Sequence, residues 1–270
     1  MSDKNENNNS ELTEPTGEGQ VELLVMLRPL LYKIHNEDCR ETLAKLPAES
    51  IDLIVTSPPY NKKSVNRKCG KTDSWMKANI NYGTYNDDLP ENEYQEWQKK
   101  VLREMVRVIK PEGSIFYNHK VRIINHRAII PTEWLNEFNI RQVLIWDRGN
   151  SPQIAPIRWL PTTEYIYWIT KTNTQPKFYK RSKHLAEVLR ISAKPTNDHP
   201  APFPEELVET LILNTTDGSD VVYDPFSGSG TACRVADRLG RAWFGSEISE
   251  RYCSVALRNI KSDLFTKATT

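Results

Sequence analysis

The chain lacks most of the features that would tie it to a disulfide scaffold, a metal site or a membrane. It has only four cysteines, Cys39, Cys69, Cys233 and Cys253, with no Cys-x-x-Cys pair and no histidine at ligand spacing. That scatter argues against both a disulfide framework and structural zinc. No apolar run approaches the ~20 residues of a membrane span, and the N-terminus has neither a basic n-region nor an apolar h-region. The cytoplasm is therefore the expected compartment. Internal repeats are absent as well, and a net charge of +1 says nothing by itself about nucleic acid.

What is present is unevenly placed. Residues 1 to 20 hold five acids and one base, a balance of −4 that leaves +5 on residues 21 to 270. A segment of Asn, Glu, Ser and Gly with few large apolar residues cannot offset its ordering entropy, so residues 1–27 are expected to be a disordered acidic tail. The remaining length suits one domain.

Branched apolar runs alternate with helical spacings along that domain. Strands are expected at Leu31 to His35, Ile51 to Thr56, Ser114 to Tyr117, Asn139 to Trp146, Glu164 to Thr170, Val221 to Tyr223 and Ala242 to Ser246. Helices are expected at Arg40 to Leu46, Tyr94 to Ile109, from Pro204 onward, and at Thr231 to Leu239. Such alternation implies an α/β fold with a mainly parallel sheet covered on both faces. Two stretches lack either period: 61–92, and the basic 171–198 with Lys177, Lys180, Arg181 and Lys183. Long loops inside a domain usually serve function.

Two strand ends carry chemistry. The string Asp224-Pro225-Phe226-Ser227-Gly228-Ser229-Gly230-Thr231 leads from a strand into a helix, and Glu247 ends the next strand. A bare Gly-Ser-Gly turn need only join strand to helix. With an acid in register about twenty residues on, it reads as a nucleoside site: glycines allow close backbone approach, and the acid takes ribose hydroxyls. Asp224 would repel a phosphate, which favours S-adenosylmethionine over a dinucleotide. The second string, Ser57-Pro58-Pro59-Tyr60, follows the apolar run Ile51 to Thr56. Pro-Pro-Tyr alone is a rigid turn. Paired with the glycine turn it can act on an exocyclic amino group: Ser57 and the Pro58 carbonyl accept its two N–H bonds, and Tyr60 stacks on a base turned out of the duplex. No cysteine follows a proline, the usual setting of a cytosine-C5 nucleophile, so the target atom should be a nitrogen. No metal is called for.

These two strings resemble the DNA amino-methyltransferases that make N4-methylcytosine or N6-methyladenine, over roughly residues 30 to 260. The catalytic motif matches Ser57 to Tyr60, the cofactor motif Phe226 to Gly230, and the ribose acid Glu247. Because the catalytic motif comes first, the order looks like the β group, a circular permutation of a Rossmann-like methyltransferase sheet with an antiparallel hairpin. The resemblance implies one methyltransferase domain over 28–265, with DNA-contacting insertions near 61–92 and 171–198. It implies that Asp38 binds the cofactor adenine and that Phe203 with Pro204 lines the methionine end, although local sequence alone makes Asp38 a helix N-cap. Double-stranded DNA is the implied partner; a homodimer and a cognate restriction endonuclease are left open. Lys62, Lys63, Arg67 and Lys68, with Lys180 and Arg181, are the candidate phosphate contacts. Serine in the first motif position is typical of N4-cytosine members, so cytosine N4 is favoured. Adenine N6 is the alternative, and a non-catalytic nucleic-acid-binding module with a structural cofactor pocket is the second.

Overall fold

A computed structural model describes residues 17–61, 88–150, 159–192 and 203–267 of the chain. Its centre is an eight-stranded sheet. In chain order the strands are β1 (Ile34–His35), β2 (Ile51–Thr56), β3 (Ile109–His119), β6 (Ile140–Asp147), β7 (Thr163–Ile169), β8 (Val188–Arg190), β9 (Val221–Asp224) and β10 (Ala242–Ser246), with β4 (Arg122–Ile124) and β5 (Arg127–Ile129) forming a separate hairpin. The spatial order is β1-β10-β9-β2-β3-β7-β6-β8. Within this sheet every pairing is parallel except the two made by β7, which runs against both β3 and β6.

Among the described residues six α-helices flank the sheet: α1 (Gly17–Leu27), α2 (Cys39–Lys45), α3 (Glu91–Val108), α4 (Glu205–Thr215), α5 (Thr231–Arg238) and α6 (Glu250–Lys267). The pleat of the central strands divides the core in two. Leu53, Val55, Phe116 and Val222 face Leu207, Leu211, Val235 and Ala256 of α4, α5 and α6. On the other face Ile54, Ile115, Tyr117 and Tyr223 meet Leu27, Leu43, Val101 and Met105 of α1, α2 and α3. All six residues of β2 are buried, as expected for a strand covered on both sides.

The chain leaves β2 through a connection whose helix lies on one face and leaves β9 through a helix on the other. The two strands are hydrogen-bonded neighbours, Leu53 opposite Val222 and Ile54 opposite Tyr223. Their C-terminal ends therefore flank a topological switch point, where open α/β sheets hold their ligands.

Several expectations need correction. Residues 17–27 are not part of a disordered tail, because the apolar end of that segment forms α1, whose Leu27 is fully buried in the second core cluster. The 171–198 segment contains a strand, β8, and the hairpin β4–β5 follows β3 without having left a periodic signature. The helix α6 (Glu250–Lys267) was not anticipated, and β3 begins at Ile109, five residues before the expected Ser114, with Pro111 and Gly113 inside the strand. The other strands and helices lie where the apolar patterns put them, to within a few residues at their ends. Residues 1–16 lie outside the described part. Among the described residues no helix is long and apolar enough to cross a membrane.

At the opposite, N-terminal edge of the sheet, Asp52 is 2% exposed and accepts Lys110 Nζ at 2.8 Å, Lys177 Nζ at 3.4 Å and the Val221 amide at 2.9 Å. It ties β2, β3 and β9 together at the end away from the switch point. Asp52→Ala leaves those donors without their acceptor and should cost about 3 kcal/mol of unfolding free energy; urea unfolding with a loss below 1 kcal/mol would contradict this anchoring.

Candidate active site

The turn after β2 and the turn after β9 are joined directly. Thr56 Oγ1, at the last position of β2, donates to Asp224 Oδ1, at the last position of β9, at 2.7 Å. The two strings that sequence reasoning singled out thus meet side by side on one sheet edge.

The turn after β9 is built around its backbone. Gly228 (φ 52°) and Gly230 (φ 79°) sit in the left-handed region. A Cβ on Gly230 would come within 2.8 Å of the Ala256 Cβ on α6. Glu247, just past β10, accepts the Gly228 amide at 2.9 Å and the Ser249 amide at 2.9 Å, and burial raises its pKa. Asn36, just past β1, donates to the backbone oxygens of Glu247 and Ile248. Thr231 opens α5, and Pro225 and Phe226 link Asp224 to the glycines, with the Phe226 ring 5.8 Å from that of Trp97.

Asp224 is 3% exposed and lies in this turn with Glu247 as its charged neighbour. Burial pushes its pKa up to about 7, against the opposing donors Thr56 Oγ1 and Phe226 N, and Glu247 adds to the rise. Two carboxylates beside a left-handed glycine turn suit a ligand carrying positive charge and would repel a pyrophosphate. Asp38 caps α2 by accepting the Arg40 amide at 2.9 Å and is ion-paired with the Arg40 guanidinium at 2.7 Å. Burial opposes its ionisation, but the Arg40 bonds outweigh it and hold the pKa below the usual range. Phe203 packs on Trp146 of β6, its ring 6.2 Å away, as part of the core.

In the turn after β2, the Pro59 carbonyl accepts Tyr94 Oη at 2.8 Å and Gln98 Nε2 at 3.2 Å, both from α3. Gln98 in turn accepts from Tyr117 Oη at 2.6 Å, so the proline turn is braced by a buried polar network. Among the described residues nothing donates to the Pro58 carbonyl. Asn61, in the left-handed region at φ 50°, holds both the carbonyl and the amide of Leu89 and so fastens the two ends of the segment that leaves the site here.

Sequence reasoning missed a group of polar residues around Tyr60. Ser57 Oγ lies 2.6 Å from Tyr60 Oη. Tyr60 Oη donates to Glu164 Oε2 at 3.1 Å, and Asn118 Nδ2 donates to Tyr60 Oη and to Glu164 Oε2, each at 2.7 Å. Arg148 Nη1 completes the group on Glu164 Oε1 at 3.0 Å. Burial and the neighbouring Glu164 hold the Tyr60 phenol well above its usual pKa. The Tyr60 ring lies 5.0 Å from that of His119, and Lys120 Nζ sits 5.0 Å from the Tyr60 centroid. Burial lowers the His119 pKa to about 3, so its imidazole is neutral. The available signal was a polar Asn118-His119 ending an apolar strand and an acid opening the aromatic strand Thr163–Ile169.

The basic candidates fare differently. Lys62, Lys63, Arg67 and Lys68 lie outside the described residues. Lys180 and Arg181 lie toward the N-terminal edge of the sheet, opposite Ser57. Arg181 binds Asp217 Oδ1 at 2.8 Å just ahead of β9, with its guanidinium 3.9 Å from the Tyr179 centroid, and Lys177 next to it serves Asp220 and Asp52. Farther along the segment Lys183 pairs with Glu206 in the first turn of α4 at 2.7 Å. Among the described residues no group of acids, histidines and cysteines could hold a metal ion.

A family model described as DNA methylase, of the N6/N4 class, matches residues 51–258, from the start of β2 into α6. The chain belongs to this family. Membership makes S-adenosylmethionine the methyl donor and DNA amino groups the class of acceptor. Among curated relatives, the type II methyltransferase M.HinfI of Haemophilus influenzae is 30% identical over 87% of this chain and 70% of its own. M.BglII of Bacillus subtilis is 28% identical over 86% and 70%, and the DNA adenine methyltransferase YhdJ of Escherichia coli 27% over 84% and 81%. The fold matches that of the cytosine-N4-specific PvuII DNA methyltransferase with a TM-score of 0.64, at 23% identity over 87% of this chain and 93% of that one. It also matches M1.HpyAVI in complex with S-adenosylmethionine, with a TM-score of 0.58 at 23% identity over 84% and 98%.

Two predictions follow from the cofactor turn. Asp224→Asn keeps an oxygen for Thr56 and Phe226 but removes the titration. Because the folded pKa is raised, the wild type loses stability as pH rises from the unfolded value through about 7. Without cofactor, the variant should therefore gain about 2 kcal/mol on the wild type between pH 5 and pH 8, read from urea unfolding, while its affinity for S-adenosylmethionine falls. Gly230→Ala combines a left-handed φ with the Ala256 contact and should cost about 2 kcal/mol; a melting temperature equal to that of the wild type would contradict the tight turn.

Proposed function

We propose that the protein transfers the methyl group of S-adenosylmethionine to the exocyclic N4 of cytosine in double-stranded DNA. The observation that carries this reading is the direct Thr56–Asp224 link, which sets the base-holding turn and the cofactor turn on neighbouring strand ends. When bound, S-adenosylmethionine supplies an electrophilic methyl on a sulfonium. The protein's own part is positioning. Ser57 Oγ and the Pro58 carbonyl accept the two amino hydrogens, which turns the nitrogen lone pair out of the ring plane and toward the cofactor turn. The Tyr60 ring supports the extruded base. Glu247 takes the ribose hydroxyls, Asp38 the adenine, and Asp224 with the Phe226–Thr231 turn and Phe203 the methionine end.

Serine at position 57 supports cytosine. Adenine N6 is the second reading, favoured by the relative named as a DNA adenine methyltransferase, YhdJ. Phosphate contacts are assigned to the run Lys62, Lys63, Arg67 and Lys68, together with Lys120 and the exposed Arg127 of the hairpin on the same edge. A second copy of the chain and a cognate restriction endonuclease complete this reading as partners.

Plasmid DNA methylated by the purified protein should yield N4-methylcytosine on digestion to nucleosides and mass spectrometry. N6-methyladenine in its place would select the second reading, and neither would overturn both. Ser57→Ala should slow methyl transfer by about 100-fold without weakening cofactor binding.

A further inference from the structure

The hydroxyl groups beside Ser57 form a chain whose direction is set from its far end. Glu164, paired with Arg148, is a carboxylate that can only accept. Its Oε1 takes Arg148 Nη1, and its Oε2 takes Asn118 Nδ2 and Tyr60 Oη. A phenol has one proton, and that of Tyr60 is committed to Glu164. The 2.6 Å contact between Tyr60 Oη and Ser57 Oγ therefore requires Ser57 to be the donor. With its proton turned toward Tyr60, Ser57 presents lone pairs to anything that approaches from the pocket. Asn118 Nδ2 stands 3.4 Å from Ser57 Oγ, too long to compete strongly for them.

The group is built to hold this polarity. Glu164 and Arg148 side chains are 10% and 15% exposed. Arg148 is itself fixed by Nη2 on the Pro161 carbonyl at 3.1 Å and by its amide on the Thr162 carbonyl at 2.9 Å. All of these residues reach the same sheet edge from three strands: Asn118 from β3, Arg148 from just past β6, and Glu164 from the start of β7.

We propose that Glu164, held by Arg148, is a positioning residue that makes Ser57 an obligate hydrogen-bond acceptor, so that the site takes a base offering an N–H at that point and rejects one offering a carbonyl oxygen. The inference rests on the amino-methylation reading and deepens it by naming what separates cytosine from uracil, or adenine from hypoxanthine. A site that presents only an acceptor leaves two oxygens facing each other when a carbonyl enters, and such mismatches discriminate strongly. The same carboxylate also lies two hydrogen bonds from Ser57, and so three from the nitrogen on which positive charge develops during transfer.

The test uses the full chain and a duplex containing a site mapped from methylated plasmid. Single-turnover transfer from tritiated S-adenosylmethionine is compared for wild type, Glu164→Gln, Ser57→Ala and the double variant, with cofactor affinity and melting temperature alongside. Glutamine keeps an oxygen for Arg148 but presents an N–H to Tyr60, which reverses the chain. Glu164→Gln should be slowed about 100-fold with cofactor affinity within about twofold, and the double variant should be no slower than the slower single one. Competition by the same duplex carrying uracil or hypoxanthine at the target should strengthen at least about fivefold relative to the wild type. If Ser57→Ala is slow but Glu164→Gln transfers at the wild-type rate, or if the two losses multiply, this proposal is overturned and amino-methylation stands. If Ser57→Ala itself is unimpaired, the reading beneath it falls too. Should Glu164→Gln unfold, Tyr60→Phe cuts the chain at its middle and must lose the same discrimination; unchanged discrimination there is equally fatal.

Discussion

The hydrogen bond from Thr56 to Asp224 is the constraint on which the site depends. Sequence separates these residues by more than half the chain, and only the parallel pairing of β2 with β9 makes them neighbours. The connections from the two strands then diverge to opposite faces, and the crevice between them is what remains open. A bare Asp224 in so dry a place would be costly; the Thr56 hydroxyl and the Phe226 amide are the donors that make its burial tolerable. The same bond therefore stabilises the acid and sets the spacing between the two loops.

Around that point the polar groups divide into two sets with opposite demands. On the cofactor side Glu247 is satisfied by backbone amides, which cannot be lost by side-chain substitution. Around Tyr60 the bonds come from side chains, Asn118, Glu164 and Arg148 from three strands, while Tyr94 and Gln98 of α3 hold the Pro59 carbonyl. On the proposed assignment a common cofactor meets a rigid backbone cradle, whereas the nucleobase meets a network whose members can be exchanged.

Much of this was legible before any coordinates. The branched run Ile51 to Thr56 and the glycine turn announce strand ends, because continuous apolarity signals burial on both faces and paired glycines signal a sharp turn. Glu247 could be found by its spacing. Glu164 left only the mark of an acid opening an aromatic strand, and Arg148 no such mark, since their importance comes from the meeting of β6 and β7 with β3 across the sheet. Composition could not place Arg181: a basic cluster looks the same whether it awaits a phosphate or offsets acids, and the fold is what puts Arg181 on Asp217 and Lys177 on Asp220. The N-terminal segment misled for a related reason. Its polar start dominates a compositional average, but the apolar stretch ending at Leu27 docks as a helix.

The reversal of β7 has a consequence of its own. Every other strand of the sheet delivers its last residues to the ligand-binding edge, while β7 delivers its first. Glu164 therefore arrives there directly from the β6–β7 connection, whose described ends are held together at that edge by the Arg148 amide on the Thr162 carbonyl. Such a connection can lengthen or change composition through descent without shifting the hydrogen-bonded ladder behind it, which gives this architecture a place to acquire new target preferences while the methyl-transfer apparatus stays intact.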